Sequence, residues 1–212
     1  MTQLILGLIL FLGAHSVRIF ADGWRTQTMA AWGDKAFKGI YTLVSVLGFY
    51  LLVVGYGEAR LQTVALWNPP IFTKHISMLL MLVSSVLLIA AYIPRNHLKM
   101  RLGHPMVLSV KVWALSHLLA NGNLADVILF GAFLIWAILN FKSARARDRL
   151  SMQGSQANLG VHEEGSSSAL TELAPVKPNL LATLLTLAGG MGLWALITFV
   201  LHAKLVGVAP MG

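Results

Sequence analysis

The stretch PMVLSVKVWALSHLLANGNLADVILFGAFLIWAILNF, residues 105–141, decides how the rest of the chain is read. Two largely apolar runs, Met106–Asn121 and Ala125–Phe141, flank Asn121-Gly122-Asn123. Each run is somewhat short of the roughly 20 apolar residues that carry a helix across a hydrocarbon core. Asn and Gly supply the positive-φ positions of a tight connection. The two runs therefore read as a helical hairpin in a membrane.

Working outward, Gln3–Phe20, Phe37–Tyr56, Ile71–Ile93 and Leu180–Ala203 are apolar runs of the same kind. Their ends carry boundary residues. Asn68-Pro69-Pro70 precedes the third run, Pro94 closes it, Pro105 opens the fourth and Pro178-Asn179 opens the sixth. Proline is favoured in a first helical turn and is excluded from helix interiors. The expected fold class is all-α, an integral membrane helical bundle of about six transmembrane helices. The N-terminal run lacks a positively charged leader and a small-residue cleavage site, so it is expected to be retained.

Composition agrees. Of 212 residues, 57% are hydrophobic and 11% charged, and mean hydropathy is +0.72. Soluble domains carry about a quarter charged residues. The absence of cysteine excludes disulfides, thiolate metal sites and Cys nucleophiles. The net charge of +8 does not point to nucleic acid, because the cations cluster at helix ends. Arg18, Arg25, Lys35, Lys38, Arg95, Lys99, Arg101, Lys142, Arg145, Arg147, Arg149 and Lys177 fall on one side, against Arg60, Lys74 and Lys204 on the other. The positive-inside rule then predicts both termini to be non-cytoplasmic. Trp24, Trp32, Trp67 and Tyr92 lie near predicted helix ends, as interfacial anchors do.

Residues 143–178 are rich in Ser, Gly, Gln and Glu and are expected to form a flexible cytoplasmic linker. This divides the chain into a five-helix body, 1–142, the linker, and a sixth helix with a short tail, 179–212. No internal repeat marks an inverted-repeat transporter.

Ionisable groups at membrane depth cost a few kcal/mol and usually face a bundle interior or a cavity. The candidates are His15, His75, Lys111, His117 and His202, with His104 at the start of the fourth helix. His97 and His162 are assigned to loops. A lone membrane histidine most often donates one interhelical bond worth about 0.6 kcal/mol. Several histidines at one depth instead suggest a metal, since imidazole is a common iron ligand. His75 and His117 match in depth, and His15 approaches His117 if the first helix runs on to Trp24. Both pairs stay open on this ground. Lys111 and Arg18 read either as snorkelling cations or as partners of an anionic group. Gly189, Gly190 and Gly192 read as a close helix approach.

RLGHPMVLSVKVWALSHLLANGNLADVILFGAFLIWAI, residues 101–138, resembles the signature of the NnrU family of bacterial membrane proteins. GAHSVR at 13–18, KHISMLLM at 74–81 and HAKLVGVAP at 202–210 match the same family. The family is similar to the plant 15-cis-zeta-carotene isomerase, a membrane enzyme that uses haem b. The resemblance implies haem b as cofactor and His15 and His117 as its axial ligands, with His75, His104, Lys111 and Arg18 as further candidate contacts. It implies the bacterial inner membrane and a role in nitrite and nitric oxide metabolism, that is, denitrification. The expected partners are the lipid bilayer and either nitric oxide or a lipophilic small molecule. The alternative it implies is a haem-dependent cis–trans isomerase of a lipophilic polyene. A cysteine of the isomerase that exchanges as a haem ligand corresponds to Ala114, so that chemistry does not carry over. Two other readings are weaker. A membrane methyltransferase would need acidic motifs where KSARARDRL stands, and a purely structural bundle leaves the membrane histidines unexplained.

Overall fold

The computed structural model describes residues 1–62, 64–162 and 177–208. Its elements are α1 (Thr2–Phe20), α2 (Asp22–Trp32), α3 (Asp34–Leu61), α4 (Ile71–Tyr92), α5 (His97–Leu102), α6 (Pro105–Ala120), α7 (Leu124–His162) and α8 (Leu180–Leu196). A π-helical turn, Ile197–Leu201, joins α8 to α9 (His202–Val206). Helices α1, α3, α4, α7 and α8 are long and apolar enough to cross a membrane, and α6 is a shorter apolar helix. The 16 residues of α6 rise about 24 Å, short of a core about 30 Å thick. The chain is a multi-pass, all-helical membrane protein, as the sequence predicts.

Helix ends follow local chemistry. Pro105 takes the first turn of α6. The Asn179 side chain caps α8 by accepting from the Leu181 and Ala182 amides. Asn96, fully buried, caps α5 by accepting from Lys99 N.

Small residues set the seams between helices. Helices α1 and α3 run antiparallel with Gly7 beside Leu52 and Gly48 beside Phe11, so closely that a Cβ on Gly48 would lie 2.6 Å from Phe11 N. Helices α4 and α6 cross on serines. Ser77 Oγ donates to Ser116 O at 2.6 Å, and Ser84 and Ser109 exchange hydroxyl–carbonyl bonds of 2.9 and 2.8 Å. Gly190 of α8 rests on Val86 of α4, where a Cβ would meet Val86 Cα at 2.5 Å. The close approach read from the glycines of the sixth helix holds at Gly189 and Gly190, whereas Gly192 has nothing within 4 Å.

Several local features differ from the sequence expectation, and α3 runs Asp34–Leu61, beyond the expected Phe37–Tyr56 at both ends. Helix α7 does not stop at Phe141 but continues to His162. No breaker interrupts KSARARDRLSMQ, and Arg147 Nη1 donates to Ser143 Oγ one turn back, so helix propagation continues into the segment expected to be a linker. The rest of that segment, 163–176, lies outside the described residues. Residues 22–32, read as a loop, form α2, on which Trp24 and Trp32 are exposed. His97 opens α5 and pairs with Thr183 Oγ1 at 2.8 Å, and His162 ends α7, so neither lies in a loop. Finally, Gly122 does not have positive φ. Its carbonyl accepts from the Leu66 and Trp67 amides at 2.8 and 3.3 Å. Glycine is needed there because a Cβ would collide with the Trp67 carbonyl.

Candidate functional site

The strap from Ala65 to Pro69, held on Gly122, forms part of the rim of a cavity of about 1400 Å³. Small-molecule sites are commonly roughly 300–1,000 Å³, so this one holds a large ligand. It lies among the second half of α3, α4, α6, the first half of α7 and the α8–α9 junction, with Phe11 of α1 also on its wall. Its deep wall is apolar and aromatic, with Met78, Met81, Leu88, Trp113 and Phe133. Its mouth is polar, with Tyr56, Arg60, His117, Asp126 and His202.

Each polar group at the mouth is held from its own element. Asp126 stands in the first turn of α7, where the helix N-terminus favours negative charge. It is 3% exposed, accepts from the Tyr56 hydroxyl of α3 and from Asn123 Nδ2 at 3.2 Å, and so carries no unsatisfied burial. Arg60 Nη1 donates to the Val206 carbonyl at 3.0 Å, tying the end of α3 to α9.

His117 of α6 stacks on Phe130 with ring centres 4.3 Å apart and planes 7° apart. Trp113 packs edge-on against it at 5.5 Å. Asn121 Nδ2 donates to the His117 carbonyl at 3.0 Å and stands 3.4 Å from His117 Nδ1. The second separation exceeds an ordinary bond and does not lock the imidazole proton on Nε2. The His202 ring lies 6.4 Å from His117, with planes 11° apart. His202 Nδ1–H donates to the Val208 carbonyl at 2.6 Å, so in the neutral ring the lone pair falls on Nε2.

The other expected residues stand elsewhere. His15 sits in an aromatic nest with Phe11, Tyr41 and Trp136 at 4.3, 5.4 and 6.2 Å between ring centres. Its Nδ1–H donates to the Phe11 carbonyl at 2.7 Å. His15 does not line the cavity, and α1 does not touch α6 among the described residues. From Phe130, beneath His117, to Trp136, beside His15, α7 rises about 9 Å. The structure does not bring His15 and His117 together. His75 is exposed on the outer face of α4 and is likewise apart from His117.

His104 pairs with Asp148 on the extension of α7, Nε2 to Oδ2 at 2.8 Å. Lys111 Nζ lies 4.8 Å over the Phe141 ring, Arg18 stands in the last turn of α1, and neither lines the cavity. Among the described residues, no three His, Cys, Asp or Glu side chains converge to hold a metal on their own.

Sequence reasoning overlooked Asp126, Tyr56 and Arg60. One signal was present. Asp126 is an acid directly after a turn and inside an apolar run, where a charge needs a partner.

A family model described as NnrU protein matches residues 3–210. No curated protein and no solved structure matches the chain.

Proposed function

The chain belongs to the NnrU family, and on that premise we propose that it is a haem-b protein of the bacterial inner membrane serving nitrite and nitric oxide metabolism. The observation that carries the proposal is the His117 ring on the wall of a membrane-embedded cavity of about 1400 Å³. The residues present suit haem b. His117 offers an imidazole whose Nε2 has no hydrogen-bond partner among the described residues. Trp113, Phe130 and Phe133 supply flat apolar surface, and Arg60 stands at the mouth, where the carboxylate edge of the macrocycle would need a cation. Haem b bound there would supply one-electron redox chemistry in a medium of low dielectric. The chain's own residues exclude water, orient the imidazole and place charge at one rim.

The test is the absorption spectrum of full-length protein purified in detergent from haem-replete cells. A Soret band that is lost in His117→Ala and kept in His75→Ala is expected. Protein that stays colourless after titration with haem would end the proposal.

One feature of the cavity favours a second reading. It runs along α4 from Lys74 to Leu88, about 21 Å of helix rise, which suits a long polyene and hence a cis–trans isomerase. Ala114 is fully buried and off the cavity wall, so this chain offers no exchangeable thiolate at that position. Incubation with a cis-carotene separates the two, because an unchanged isomer ratio removes the isomerase for that substrate.

A further inference from the structure

We infer that His202, from the far end of the chain, is the partner of His117 in holding the cofactor, in place of His15. This rests on the haem reading above and assigns the second ligand within it. Four observations converge.

The first is distance. Two imidazoles bonded to one metal at about 2 Å each hold their ring centres roughly 6 Å apart. His117 and His202 stand at 6.4 Å as near-parallel stacked rings, 11° apart, a separation that one metal can span once each ring turns its Nε2 toward it. Both line the same cavity, whereas His15 does not.

The second is protonation. A metal-binding histidine usually donates its other ring N–H to a carbonyl or carboxylate, which fixes the tautomer. His202 does this to the Val208 carbonyl at 2.6 Å; His15 does the same to the Phe11 carbonyl but off the cavity wall, so this feature makes His202 competent while the cavity selects it.

The third is backbone. His202 follows directly on the π-helical turn Ile197–Leu201. Such turns are rare and occur often at functional sites, because the extra residue re-aims the side chains beyond it. Here the residue beyond it is His202.

The fourth is support. The segment that carries His202 is held from the bundle by Arg60, through the Val206 carbonyl, so the ring is placed by α3 as well as by its own short helix.

With haem bound, His117 and His202 would hold the iron between them, and haem held so would supply one-electron chemistry. That ligand set suits electron transfer toward nitrite or nitric oxide reduction better than capture of nitric oxide itself.

The experiment uses the full chain with haem and reads electron paramagnetic resonance and absorption. Wild type should show a low-spin ferric signal of two imidazoles. His202→Ala should lose that signal for a high-spin one, added imidazole should restore it, and His202→Met should keep haem with a shifted spectrum. His15→Ala should stay low-spin. A low-spin signal unchanged in His202→Ala, or abolished in His15→Ala, would overturn the assignment and leave the haem proposal standing. Wild type that takes up no haem would remove both.

Discussion

At the scale of single residues, burial decides which polar groups matter. Asn96 is fully buried, and its amide serves three backbone groups. Oδ1 accepts from Lys99 N at 2.8 Å, while Nδ2 donates to the carbonyls of Ala90 and Ile93 at 2.9 and 2.6 Å. A lost cap costs about 1 kcal/mol, and stranded buried carbonyls add about 1–3 kcal/mol. Asn96→Ala should therefore lower stability by about 2 kcal/mol or more, read as an earlier thermal transition in detergent. Ser84→Ala gives the contrast. Its bonds to Ser109 join two helices in lipid, where such bonds average about 0.6 kcal/mol because the separated helices find other partners. Its loss should move the same transition by less than half as much. Asn96 followed Pro94 in the sequence and looked like loop. Only the fold shows that Asn96 is buried within the turn after α4, which is tied to the start of α8 by the Asn179 N–H donating to the Arg95 carbonyl at 2.8 Å and the His97 N–H donating to Thr183 Oγ1 at 3.1 Å.

At the scale of elements, the boundaries set by Pro105, Pro178-Asn179 and Asn121-Gly122-Asn123 were legible, because capping and chain reversal are local. The stretches that cross no membrane were less so. Helix α2 buries none of its residues, and the extension of α7 gains its contacts from a distant partner, His104, at Asp148. Neither leaves an apolar period to find. The 39 residues of α7 rise about 58 Å, nearly twice the hydrocarbon thickness, so its C-terminal part must stand outside the bilayer. Glycines in α8 show the same limit from the other side. Gly190 and Gly192 look alike in sequence, yet only Gly190 meets Val86 of α4. Overpacking costs about 1–3 kcal/mol. Gly190→Val should destabilise by that amount, while Gly192→Val should leave the transition within about 0.5 kcal/mol of wild type. Equal effects of the two would show that α8 does not pack on α4 through this face.

At the scale of the whole molecule, the histidines themselves were legible as candidates and their pairing was not. Depth along each helix can be counted, but whether His15, His75 or His202 meets His117 depends on which faces of α1, α4 and α8 turn inward. Helix α4 presents Ser77 to α6 and leaves His75 outside, while the π-turn redirects His202. Charge acts at this scale too. The helices alternate so that Arg18, Arg95 and Lys142 stand at one end, with Arg60, Lys74 and the cavity mouth at the other. Positive residues in short loops stay cytoplasmic, which would place the mouth, and both termini, on the far side of the membrane. The chain has no cysteine, so one introduced thiol reports its side without background. Gln62→Cys, exposed at the mouth end, should react with a membrane-impermeant maleimide added to intact spheroplasts. Ser151→Cys, exposed on the α7 extension, should react only after the membrane is opened. The reverse pattern would invert the orientation and put the cavity mouth, with His117 and His202, in reach of cytoplasmic electron donors.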